Sequence, residues 1–217
     1  MKLAIIALFL ISAAVPAQSA DFTLQRLKAG DIAVKAADVP VPAQCKADPQ
    51  PPQDLVYKFQ QVYNQLSAIR SGLTWVRSDL NRLETRAHQM IQYNTSDSFF
   101  ESDLRKMSMD MSRRFEDMRR AAADAHNLLA LAQKYAELNN TARNMDQAAR
   151  EILNYTWPAI EDAAGNLEGT VRSGQPQVVG YNSQWVAMDI SRYSRQLSDQ
   201  ARSAYGDTQK LVTLTRP

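Results

Sequence analysis

Eleven apolar residues constrain this chain more than any other feature. Leu55, Phe59, Val62, Leu66, Ile69, Leu73, Val76, Leu80, Leu83, Ala87 and Met90 follow one another at alternating steps of four and three. A 4-3 repeat returns one face every 3.5 residues, so the segment reads as a long helix in left-handed supercoiled packing. Phe59, Leu66, Leu73 and Leu80 fall at a positions, and Val62, Ile69, Val76 and Leu83 at d positions. Leu at a with mostly β-branched residues at d disfavours a parallel two-stranded coil and suits three or four helices. Gly72 interrupts the pattern and costs about 1 kcal/mol of helix propensity relative to Ala. Pro52 and Asp54 supply start chemistry.

The residues that follow predict partners for this seam. The polar run 94–98 predicts a turn, followed by a second helix over about 99–138. There Leu104, Met111, Met118, Ala125 and Ala132 recur every seven residues, with Phe115, Ala122, Leu129 and Ala136 four behind. Asn139-Asn140-Thr141 reads as the next turn. A third helix is expected over 141–171, with Met145, Ala149, Ile152, Thr156, Ile160, Ala163 and Leu167 on one side. Pro158 lacks a backbone donor and predicts a kink or restart near Trp157. A fourth helix, about 182–204, carries Trp185, Met188, Tyr193 and Leu197. The fold class is therefore all-α: an elongated antiparallel bundle of three to four long helices with coiled-coil heptads.

Ahead of the bundle, residues 1–19 have the anatomy of a bacterial Sec-type signal peptide. Lys2 precedes an apolar run from Leu3 to Ile11, and small residues follow it, which places cleavage after Ala17 or Ser19. The mature protein is then periplasmic or secreted, with no later stretch apolar enough to span a bilayer. Residues 20–53 carry Pro40, Pro42, Pro49, Pro51 and Pro52 and read as an extended arm or linker. The bundle domain is expected over 54–205 and a loose tail over 206–217.

Composition removes whole classes of function. With 25 Lys and Arg against 23 Asp and Glu, the net charge is +2, too little for a nucleic-acid surface. The lone Cys45 makes no internal disulfide, CxxC pair or thiolate zinc site. It implies an intermolecular disulfide or a capped thiol, against an incidental buried thiol. No phosphate-cradling glycine motif is present. No serine has a histidine base and carboxylate orienter in sequence context, so the chain reads as non-enzymatic and without cofactor.

Several positions are candidate sites. The repeat DLRKMSM, DMSRRFE, DMRRAAA, DAHNLLA sets Asp103, Asp110, Asp117 and Asp124 in one heptad column, with Lys106, Arg113 and Arg120 three residues after the first three. That is either a salt-bridged solvated face or, with Arg114 and Arg119, a surface recognised by a partner. Arg105, Arg114 and Arg119 leave peripheral membrane contact open. Tyr57 and Trp75 lie off the seam. They either bury under another helix, such as the one carrying Trp185, or anchor a protein partner. Met107 and Met111 share a helix face as weak soft-metal ligands, the alternative being core filler. His88 and His126 stand too far apart to share a metal, and Glu84 is expected level with Asp110.

The leading expectation is an exported scaffold or adaptor of the envelope, of the secretion, pilus or envelope-assembly type. It would bind a protein partner or itself. A holdase-type periplasmic chaperone is the first alternative, and a small-ligand or copper carrier the second.

Overall fold

The computed structural model describes residues 50–216. The expected signal peptide, most of the expected extended arm and Cys45 lie outside them. The described residues are all-helical, in the order α1 (Gln53–Tyr93), α2 (Phe100–Leu129), α3 (Ala136–Glu151), a π-helical turn (Ile152–Thr156), α4 (Trp157–Ser173), α5 (Pro176–Val179) and α6 (Ser183–Leu214).

The buried residues of α1 are the eleven residues of its seam and no others. α1 packs against α2, α3 and α4, and α6 packs against the same three. α1 and α6 therefore take opposite corners, with α2 at the third and the α3–α4 run at the fourth. Cross-helix pairs give the directions. Gln65 donates to Asp124 and Arg86 to Asp103, so α1 and α2 run oppositely. Arg70 meets Glu151, and His88 Nε2 lies 3.2 Å from the Thr170 hydroxyl, so α1 runs with α3 and α4. By the same reasoning α6 runs with α2 and against α3.

Helix boundaries depart from the sequence reading in three places. First, α2 stops at Leu129, well short of residue 138. Leu104, Met111, Met118 and Ala125 are buried as the repeat predicts, but of the second expected column only Ala122 is buried, and Phe100, Met107, Ala121 and Leu128, one residue earlier, complete the core face. Residues 130–135 link corners that are not packed neighbours, and six extended residues reach about 20 Å. The turn is thus set by the crossing, not by Asn139-Asn140-Thr141. Asn139 is buried inside α3 and donates to the Val212 carbonyl (3.0 Å) and the Thr215 hydroxyl (3.2 Å).

Second, the third helix begins at Ala136 rather than 141, and it is interrupted where Pro158 predicts. Pro158 cannot donate to the carbonyl four residues back, and a π turn widens the chain before α4 restarts with Pro158 in its first turn. The wider turn advances the register by one, so Trp157 takes the core position expected of Thr156.

Third, α6 continues to Leu214, and Asp207, Thr208, Leu211 and Thr215 are buried. The segment expected to be a loose tail is the last quarter of the fourth corner. Its buried face is Ala187, Ile190, Ser191, Ser194, Leu197, Ala201 and Ala204 rather than Trp185, Met188 and Tyr193. α2 and α6 run closest together of the described helices, and both bury small residues, Ala121, Ala122 and Ala125 on α2 and Ser191, Ser194, Ala201 and Ala204 on α6.

Candidate interaction surface

Heptad geometry decides which polar residues remain outside. The aspartate column of α2 flanks the seam on the side facing α1, and its ends are engaged there. Arg86 donates to Asp103 at 2.7 Å and to Asp97 at 2.5 Å, and Lys106 reaches Asp103 at 3.0 Å. Asp124 accepts from Gln65 at 3.1 Å. Of the three expected i, i+3 pairs, only Asp103–Lys106 forms among the described residues. Asp110 faces Arg114 at 3.7 Å instead. Arg119 pairs with Glu116 and Arg105 with Glu101, both at 2.7 Å. Arg113 and Arg120 are exposed, while Asp117 and Arg114 are half-buried beside α1. The column is part of the α1–α2 joint more than a free face.

The charges of that joint hold one another. Burial opposes the Arg86 charge, but Asp103 and Asp97 outweigh it and hold its pKa above the ordinary value. The Phe99 backbone N–H, helped by Arg86, holds Asp97 below the ordinary carboxylate range. Arg86 and Lys106 do the same for Asp103.

Other candidates separate. Glu84 lies 3.8 Å from His88 and Asp110 beside Arg114, so the two carboxylates have different partners. His88 faces Thr170 near one end, and His126 Nδ1 is 3.1 Å from Asp207 near the other. Met107 and Met111 are buried in the core with Met118, where they fill it, and Met109 points outward alone. No cluster of three His, Cys, Asp or Glu able to hold a metal occurs among the described residues. No described helix is long and apolar enough to cross a membrane.

What stays outside is aromatic. Trp75 is 75% exposed, Tyr57 71% and Trp185 68%, so none is covered by a neighbouring helix. Sequence reading missed Tyr93, which is 67% exposed. Its signal was available: residues 57, 75 and 93 are spaced by eighteen, five turns of helix. Against the heptad seam they fall at f, c and g, all off the a and d positions, about 27 Å apart along the helix. Recesses of about 500 and 530 Å³ adjoin Tyr57 and Tyr93. Beyond α1, Phe99 is exposed beside the same recess as Tyr93, and Tyr181 is exposed in the connection where Asn182 donates to Glu101. No protein-family model, curated protein or solved structure matches this chain.

Proposed function

We propose that this chain is an exported, non-enzymatic adaptor of the bacterial envelope that holds a protein partner along α1. In this reading the heptad seams supercoil into an antiparallel bundle that serves as a rigid spacer. One observation carries the proposal: Tyr57 and Trp75 are both left in solvent on one side of a helix whose other side is fully committed to the core. Large aromatic rings left in solvent forgo the burial that would stabilise the fold, and aromatics of this kind are favoured as anchors at interface centres. The residue-1–19 leader pattern supports an envelope setting. The non-catalytic reading is supported by the engagement of Asp103 and Asp124 in pairs that join α1 to α2.

The test is capture in intact cells by the tagged, exported protein. One or two stoichiometric envelope proteins are expected. Trp75→Ala combined with Tyr57→Ala should lose that capture while leaving helicity and the melting temperature unchanged. Capture that survives both substitutions contradicts the proposal. A broad spread of unfolded clients contradicts it too, in favour of a holdase.

A further inference from the structure

We propose that a groove between α4 and α6 binds a neutral linear oligosaccharide. The groove measures about 610 Å³ and lies along the outer side of α6, the helix diagonally opposite α1. Trp185 forms one wall. Apart from Met188, the remaining lining is made of planar hydrogen-bonding groups: the carboxylates of Glu168, Asp189 and Asp199, the guanidinium of Arg195 and the amide of Gln196, with Arg192 among them.

Charge in the groove is compensated locally. Asp189 pairs with Arg192 at 2.9 Å, and Glu168 with Arg172 at 3.3 Å. Arg195 donates to the Ser191 carbonyl and hydroxyl, both at 3.3 Å, and keeps further N–H groups for a ligand. Asp199 lies 4.0 Å from Arg202, and the lining itself carries three carboxylates against two guanidiniums, so neither an anion nor a cation meets a strong excess of opposite charge. A ligand of many hydroxyls, each both donor and acceptor, matches an alternation of carboxylate, guanidinium and amide. The C–H face of a sugar ring packs on an exposed indole while adjacent hydroxyls bridge to the planar groups. From Trp185 to Asp199 the lining recurs every three or four residues on α6, a stripe of about 21 Å, which suits several rings in a row.

A protein occupant fits less well. Trp185, Met188, Arg192 and Arg195 are types that protein interfaces favour, but the three carboxylates beside them are depleted at interface cores, and the groove has only two large apolar side chains to bury. The site does not depend on the α1 aromatics, so its failure and that of the partner-binding reading are distinguishable.

The experiment titrates the mature protein with neutral linear hexasaccharides: gluco-, malto-, manno- and fully N-acetylated chito-oligomers. Backbone NMR shifts and tryptophan fluorescence report binding. At least one sugar should bind saturably, with shifts confined to α4 and α6 and little dependence on salt. Trp185→Ala should weaken it about tenfold or more, and Asp189→Asn should weaken it with the fold intact, while Trp75→Ala leaves it unchanged. Absence of saturable binding across the panel overturns the proposal, as does binding indifferent to Trp185→Ala. Salt-sensitive binding of an anionic polymer at the same residues also overturns it, as does a protein captured through Trp185 while the sugars fail to bind.

Discussion

At the scale of single residues, Gly72 shows how a sequence cost becomes a structural requirement. Read alone, it is the weak point of an otherwise regular helix. In the fold, a Cβ at this position would stand 2.3 Å from Arg114 Nη1. Arg114 occupies the column of Phe100, Met107, Ala121 and Leu128, the one charged residue in an apolar seam. Its Nε is buried without a hydrogen-bond partner. Gly72 is the notch that admits the guanidinium. Gly72→Ala therefore sets two effects against each other: helix propensity improves by about 1 kcal/mol, and the guanidinium must swing away. In an Arg114→Met background only the first remains. Urea unfolding of the four variants should show Gly72→Ala stabilising the Arg114→Met protein by about 1 kcal/mol and the parent by clearly less. Equal effects in both backgrounds would mean that the notch does not matter. Nothing in the sequence points to this pairing, because Arg114 reads as one more member of a charged repeat.

At the scale of elements, the α1–α2 connection is held by side chains as much as by backbone. Asn94 adopts the left-handed conformation (φ 50°), and the Asn94 and Thr95 N–H groups close the end of α1 on the Ile91 and Met90 carbonyls. Asp97 accepts the Phe99 N–H at 2.9 Å, and Arg86 ties Asp97 to Asp103. Both carboxyls have folded pKa values below their ordinary ones. Their contribution to stability is complete above the unfolded carboxylate range near pH 4 and is lost as pH falls through the lower folded values. Asp146 acts in the opposite sense, since burial raises its pKa and makes its ionised form unfavourable in the fold. Replacing both Asp97 and Asp103 by Asn should flatten the loss of melting temperature below about pH 4 and lower stability at pH 7. An acid profile identical to the parent would show that the triad does not hold the connection.

The elements also show where sequence patterning reads well and where it does not. The α1 seam is legible to the residue because all eleven members are apolar and the helix has no competing stripe. The buried face of α6 is illegible because Ser183, Ser191, Ser194 and Thr208 belong to it while Trp185 does not. Close helix approach selects small side chains there, and an apolar count looks past them. The end of α2 is hidden for another reason. It carries no glycine or proline, and its Ala130 cap is itself right-handed helical, so only the need to reach the opposite corner marks the stop. Asn139 misleads in the converse way, since a turn-forming residue serves here as a buried donor joining α3 to α6.

At the scale of the whole molecule, the fold divides its outer surface by chemistry. The α1 corner presents Tyr57, Trp75 and Tyr93. The diagonal corner presents a tryptophan beside planar polar groups. Between them, the charged repeat that stands out in the sequence gives Asp103 and Asp124 to the α1–α2 joint, while most of its cations stay exposed or pair within α2. The aromatic candidates were legible as off-seam residues, but whether a neighbouring helix covers them depends on which corners adjoin, which no local pattern encodes. The measurement that tests the central claim most directly places a photoreactive amino acid at 57, 75 and 93, one position at a time, in the exported protein. Arg143 and Arg202, exposed on α3 and α6, serve as controls. The adaptor account predicts that one and the same partner crosslinks from all three α1 positions and from neither control. Crosslinking equal from α1 and control positions, or none from position 75, contradicts it.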